Sequence, residues 1–113
     1  MSESLSWCVE SLQSGTEPAL SRALSALRSR HTRRAGGPAR FRHGGGLKPL
    51  LELVDPRRPR RILDLALSVL GNCCTERGCR RETRRIGGIP RLVSLLSLPS
   101  IPESVQNPRV TPE

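Results

Sequence analysis

The segments GGLKPLLELV at residues 45–54 and GGIPRLVSLL at residues 87–96 decide the reading of this chain. Both fit the pattern G-G-[LI]-x-x-L-[LV]-x-L-[LV], and they keep one offset, Gly45 to Gly87, at every position. Leu47, Leu50, Leu51 and Val54 recur at i, i+3, i+4 and i+7, which lines them along one face of a helix. The glycines in front suit a sharp turn, since a residue without a Cβ reaches positive φ or lets another segment approach closely.

Working outward, the same spacing returns. Leu5–Leu12 aligns with Leu47–Val54 at that offset, and LSRALSAL from Leu20 matches LDLALSVL from Leu63 at an offset longer by one. Periods in the low forties, built of helix pairs behind a short helix, mark α-solenoids. The cause is burial: each unit exposes an apolar face that only a neighbouring unit can cover. Leu5, Cys8, Val9 and Leu12 form the first amphipathic face, ended by Gly15. Thr16 is placed to cap a second helix, with Pro18 in its first turn where a missing N–H costs little. That helix carries Leu20, Ala23, Leu24 and Leu27 and is expected to end near Arg30.

Residues 39–43 suit a short helical turn. Asp55 and Pro56 stop the helix of Leu47–Val54. From Ile62 to Cys74 the chain is apolar almost all round, as in a helix packed between others. Beyond Pro99 the pattern breaks down, and Pro102, Pro108 and Pro112 predict a disordered tail.

The expected fold is therefore all-α: a right-handed solenoid of the armadillo or HEAT kind, armadillo-like in its short first helix, with about two and a half repeats. Residues 1–43 read as an amino-terminal capping repeat, 44–98 as repeats and 99–113 as the tail. Leu50, Leu51, Leu63, Ala66, Leu67, Leu70, Leu92 and Leu95 are the expected core.

Composition agrees. The chain has 113 residues, 35% hydrophobic, and its aromatics are Trp7 and Phe41 alone. A core of Leu, Ile, Val and Ala suits packed helices better than a β-sandwich. The start has no basic region followed by a long apolar stretch, so it does not read as a signal peptide, and no segment is long enough to span a membrane. The four cysteines are accordingly expected as reduced thiols in the cytoplasm or nucleus.

The formal charge is +9, carried almost wholly by arginine. Such a balance attracts acidic proteins or nucleic acid. Arg57, Arg58, Arg60 and Arg61 resemble a short nuclear-import cluster. Arg80, Arg81, Arg84 and Arg85 fall in facing pairs on a short helix and are candidate partner contacts. Nucleic-acid modules usually interleave stacking aromatics, which are almost absent, so nucleic-acid binding is the alternative and an acidic protein partner the first reading.

No metal, cofactor or catalytic group is expected. Cys73, Cys74 and Cys79, with Cys8 or His43, lack any C-x-x-C pair for a zinc site, and Cys73 and Cys74 at the end of an apolar helix read as small core residues. His31 and His43 are expected in basic, glycine-rich loops with no paired acid at a useful spacing. The glycine doublets lack the strand and lysine of a phosphate loop.

The glycine turn ahead of a second helix, and Asn72 near the end of the long helix in LSVLGNCC, resemble the armadillo-repeat family. The run from Leu63 to Val93 carries the closest likeness, to members that join armadillo repeats to a carboxy-terminal BTB domain. In peptide-binding members, asparagines on successive third helices pair with an extended peptide. One asparagine makes no ladder, so Asn72 is expected to bridge within the repeats while remaining a candidate contact. The resemblance implies an interaction scaffold, part of the substrate-recognition subunit of a cullin-3 ubiquitin ligase acting on RNA polymerase II. Cullin binding is not expected of this chain, which shows no BTB domain. Pro108 interrupts the next expected helix, so the chain reads as truncated.

Overall fold

A computed structural model of the chain describes residues 3–88 and 90. Its elements are α1 (Leu5–Ser14), α2 (Glu17–Ala26), a π-helical turn (Leu27–His31), α3 (Gly37–His43), α4 (Leu47–Glu52), α5 (Arg60–Cys73) and α6 (Arg77–Arg85). No strand occurs among the described residues. The expected core positions Leu92 and Leu95, and the tail 99–113, lie outside them.

Local chemistry sets the helix boundaries. Ser4 caps α1, its hydroxyl accepting from Trp7 N at 3.1 Å. Thr16 takes the cap position of α2 without a side-chain hydrogen bond, and Pro18 lies in the first turn. The second helix does not stop near Arg30 as a plain α-helix. It widens at Leu27, where Thr32 N donates back to Leu27 O. His31 therefore sits on a helical turn rather than in a loop. α4 stops at Glu52, short of the expected Val54, and beyond it the Asp55 carboxylate accepts from the backbone N of Arg57 at 2.9 Å in an Asx turn.

The basic stretch after Cys74 is a helix because Cys79 and Thr83, one turn apart, both face inward. Glu76 caps it, with Oε1 accepting from Cys79 N at 2.8 Å. A carboxylate there also offsets the partial positive charge of the helix start.

The two glycine turns repeat in atomic detail. Gly45 and Gly87 both have φ of 82°. Gly45 N donates to Arg42 O at 3.0 Å, and Gly87 N donates to Arg84 O at 3.2 Å, the same bond one repeat later. A Cβ on Gly46 would lie 2.3 Å from the Phe41 ring, and one on Gly88 would lie 2.7 Å from the Thr83 methyl. Phe41 and Thr83 are thus the same position of the repeat, and each forbids a side chain on the second glycine of its turn. α3 and α6 are corresponding short helices.

Packing joins α1 to α2, and α2 with its π turn to α5. α3 lies on α5 and α6, and α4 contacts α1, α5 and α6. One apolar cluster runs through all of this, from Cys8 to Cys79. Leu50, Leu51, Leu63, Ala66 and Leu70 are buried in it. Leu67, expected there too, is a correction: it is only partly buried. On α5 it shares a stripe with Gly71 and Cys74, neither of which is buried, while Ile62, Ala66, Val69 and Cys73 point inward. The helix is apolar all round in sequence but is covered on one side more than the other.

Candidate protein-binding groove

Ser21, Ser25 and Ser29 recur at every fourth position, on the side of α2 and the π turn away from buried Leu20, Leu24 and Leu27. α5 packs alongside and presents Arg61, Ser68 and Asn72. Two open clefts lie between these helices. One, of about 320 Å³, is lined by Ser21, Arg22, Ser25, Ser29, Arg30 and Arg61, with Glu3. The other, of about 430 Å³, is lined by Arg28, Ser29, Arg33, Ser68 and Asn72. Ser29 borders both, so the two clefts adjoin, and the walls of this groove carry hydroxyls and guanidinium groups.

At one end the groove already holds a carboxylate. Arg22 Nη2 donates to Glu3 Oε2 at 2.9 Å, and Arg30 Nη2 donates to Glu3 Oε1 at 3.1 Å. His31 Nε2 pairs with the Glu3 carbonyl at 2.8 Å. The Arg22 hydrogen bond is the main reason the Glu3 carboxyl is held below its ordinary pKa. Arg22 also lies over the Trp7 ring, 5.5 Å from its centroid, a cation–π contact that fixes the guanidinium. Arg61 Nε donates to Ser21 Oγ at 2.9 Å across the groove.

Asn72 is the hinge of the other end. Its Nδ2 donates to Arg28 O and to Thr32 Oγ1, both at 3.1 Å. The π turn makes this possible. Because Thr32 N reaches back to Leu27 O, the Arg28 carbonyl loses its usual donor and turns to Asn72. Thr32 is buried, and its hydroxyl donates to Leu27 O at 2.7 Å. The Asn72 amide thus ties one long helix to the next. The guanidinium groups of Arg28 and Arg33, beside it, have no partner among the described residues.

The other expected contacts fall elsewhere. Arg80 Nη1 donates to Cys74 O at 2.7 Å and so closes the end of α5. Arg85 pairs with Glu82 at 2.8 Å. Arg81 and Arg84 point outward with no ion pair among the described residues. None of the four lines the groove. In the basic cluster, Arg57 pairs with Asp55, Arg60 with Asp64 and Arg61 with Ser21, while Arg58 is exposed.

The groove residues missed in the sequence, Arg22, Arg28, Arg30 and Arg33, had one usable signal: the Ser21–Ser25–Ser29 stripe with arginines on either flank. The wall across the groove comes from α5, a helix remote in sequence that only packing brings alongside, and no local pattern reveals it.

The thiols are core groups. Cys8, Cys73 and Cys79 are buried, and no cysteine is in a disulfide. Burial pushes the Cys8 thiol up to about 11 and, chiefly, the Cys79 thiol to about 12; Cys73 is raised in the same way. No cluster of three histidine, cysteine or acidic side chains among the described residues is placed to hold a metal ion. No described helix is long and apolar enough to cross a membrane.

Comparison with known proteins adds one relative. Armadillo repeat-containing protein 5 of Mus musculus is 36% identical over an alignment of 162 residues. That alignment takes in 95% of this chain and 17% of the mouse protein, so the chain spans a small part of its relative's length. The alignment is also longer than the chain's 113 residues, so the relative carries additional residues within the matched span. No protein-family model matches the chain, and no solved structure does.

Proposed function

Because this chain is a relative of a segment of armadillo repeat-containing protein 5, we propose that it is a non-enzymatic interaction module that binds an acidic, extended protein segment in the groove between its long helices. The observation that carries this reading is the Glu3 carboxylate held between Arg22 and Arg30. A groove that captures its own acidic side chain has the donors to capture another. Further along, Arg28 and Arg33 offer unspent charge beside the hydroxyls of Ser29 and Ser68. Charge-assisted hydrogen bonds of this kind are about twice as strong as neutral ones.

Within this proposal stand the finer expectations from the armadillo likeness. The module forms part of a solenoid that holds substrate for a cullin-3 ubiquitin ligase acting on RNA polymerase II, in the cytoplasm or nucleus. Cullin contact belongs to a BTB domain outside this stretch. The α6 arginines and the Arg57–Arg61 cluster remain proposed secondary contacts.

The test is fluorescence anisotropy of a labelled Glu-rich peptide titrated with the full chain, beside a labelled single-stranded oligonucleotide. The peptide is expected to bind, and the pair Arg28→Ala and Arg33→Ala to weaken it by about tenfold or more, as loss of two charged hydrogen bonds implies. Tighter binding of the oligonucleotide, with a steep salt dependence, would favour the nucleic-acid alternative. Peptide binding unchanged by the two substitutions would remove the groove from the account.

A further inference from the structure

Arg42 performs a task in this fold that its repeat equivalent, Arg84, is built to perform again. From the last turn of α3, the Arg42 guanidinium crosses to the start of α6. There Nη2 donates to Glu76 Oε2 at 3.2 Å. The contact passes over Gly78, where a Cβ would lie 2.4 Å from Arg42 Nη2 and 2.6 Å from Cζ. Three features meet in this clasp: an arginine at the end of one short helix, a glutamate capping the next, and a glycine at the second position after that glutamate.

Arg84 occupies the Arg42 position by every local measure. Its carbonyl accepts from the positive-φ Gly87 as that of Arg42 accepts from Gly45. The buried residue just before it, Thr83, stands where Phe41 stands. The difference is the far end. Arg84 is exposed and has no ion pair among the described residues, whereas Arg42 is partly buried under its partner. Glu76–Arg77–Gly78 is the one place in the 113-residue sequence where an acidic residue is followed two positions later by glycine. No second acidic residue with that glycine stands in this sequence to serve Arg84 as Glu76 and Gly78 serve Arg42.

We propose that the α6 end of this chain is a docking surface for a further helical unit of the same repeat. Its first helix begins with a capping glutamate followed two positions later by glycine, and Arg84 clasps that start. The surface is separate from the groove, and its recognition is geometric as much as electrostatic. A side chain in place of the glycine blocks the guanidinium before it reaches the carboxylate.

The probe is the chain's own unit. A second copy of residues 45–86 is inserted after Ile86 in the full-length chain, which keeps the repeat register and sets the copied Glu76 and Gly78 opposite Arg84. Thermal unfolding is followed by circular dichroism. Arg84→Ala is expected to lower the midpoint by several degrees in the duplicated chain and to leave the parent unmoved. Replacing the copied Glu76 by Ala, or the copied Gly78 by Val, is expected to abolish that sensitivity. Equal effects of Arg84→Ala in the two chains would overturn the proposal, as would additive losses from Arg84→Ala and the copied Glu76→Ala. A duplicated chain that does not unfold cooperatively overturns it too, because the clasp is what joins the inserted unit to its neighbour. Self-association of the parent chain that depends on Arg84 would mean that a second copy, without a matching glutamate and glycine to spare, is the occupant, and would contradict it equally.

Discussion

Phe41→Ala, made alone and together with Gly46→Ala, tests the repeat's construction at its tightest point. Phe41 is fully buried, and its ring fills the space where a Cβ on Gly46 would lie, 2.3 Å from Cε1. Removing the ring from a packed core costs about 3–5 kcal/mol, from lost transfer energy and from the cavity left behind. A domain of this size has only about 5 kcal/mol or slightly more to lose, so the single variant is expected to be close to unfolded at 37 °C. Gly46→Ala alone overpacks the same space and is expected to cost about 1–3 kcal/mol. Gly46 has φ of −83°, so the backbone itself accepts alanine and the cost is steric. With the ring gone, the added methyl has room. The double variant should therefore be no less stable than Phe41→Ala, with a favourable coupling of at least about 1 kcal/mol. Urea unfolding followed by circular dichroism at 15 °C measures all four corners of the cycle. Additive losses would refute the packing of ring on glycine, and a Phe41→Ala midpoint close to wild type would refute the core assignment.

Other perturbations have equally specific outcomes. Thr83 holds the Phe41 position of the next turn with its hydroxyl buried and without a hydrogen-bond partner among the described residues, so Thr83→Val is expected to raise the urea midpoint by the equivalent of about 1 kcal/mol. Asn72→Ala removes the donor from both Arg28 O and Thr32 Oγ1 and is expected to cost about 1–3 kcal/mol in the same assay. Leu67→Ala, at a partly exposed site, should lower the midpoint clearly less than Leu24→Ala, which empties a fully buried one. Glu76 is held down to about 2 from 4.5, first by hydrogen bonding from Cys79 and then by Arg42. A depressed carboxylate contributes stability that is fully present above the unfolded pKa and is lost as pH falls through the folded one. Stability should thus decline between about pH 5 and pH 2, and Glu76→Gln should flatten that part of a urea-midpoint profile.

The fold was legible wherever apolar spacing and glycine placement act locally. The faces of Leu5–Leu12, Leu20–Leu27 and Leu47–Val54 each supplied a helix, although α4 stops at Glu52 and Leu27 opens the π turn, because such a stripe has to be covered to be stable. The repeat register was visible in the glycine pairs, and the matching φ angles at Gly45 and Gly87 are its physical content. Arg77–Arg85 was harder, since two inward positions, Cys79 and Thr83, are all that mark its buried face. The π turn at Leu27 left no trace in the pattern, and the Arg28 carbonyl it frees is taken up by Asn72 from the far end of α5, a residue remote in sequence. The same limit hid the groove. Long-helix arginines and α6 arginines look alike as letters, and only packing tells which flank a cleft. Leu67 was misjudged for a related reason: composition gives the apolar character of α5 but not the side on which a neighbour lies.

Binding of an acidic segment in the groove is read out residue by residue by amide chemical-shift mapping of the isotopically labelled full chain during titration with an unlabelled Glu-rich peptide. Saturable shifts are expected at Arg28, Ser29, Arg33, Ser68 and Asn72, with displacement of the contacts at Glu3 as the peptide fills the groove. Shifts confined to the α6 positions Arg81, Arg84 and Arg85, with the groove residues unmoved, would contradict it.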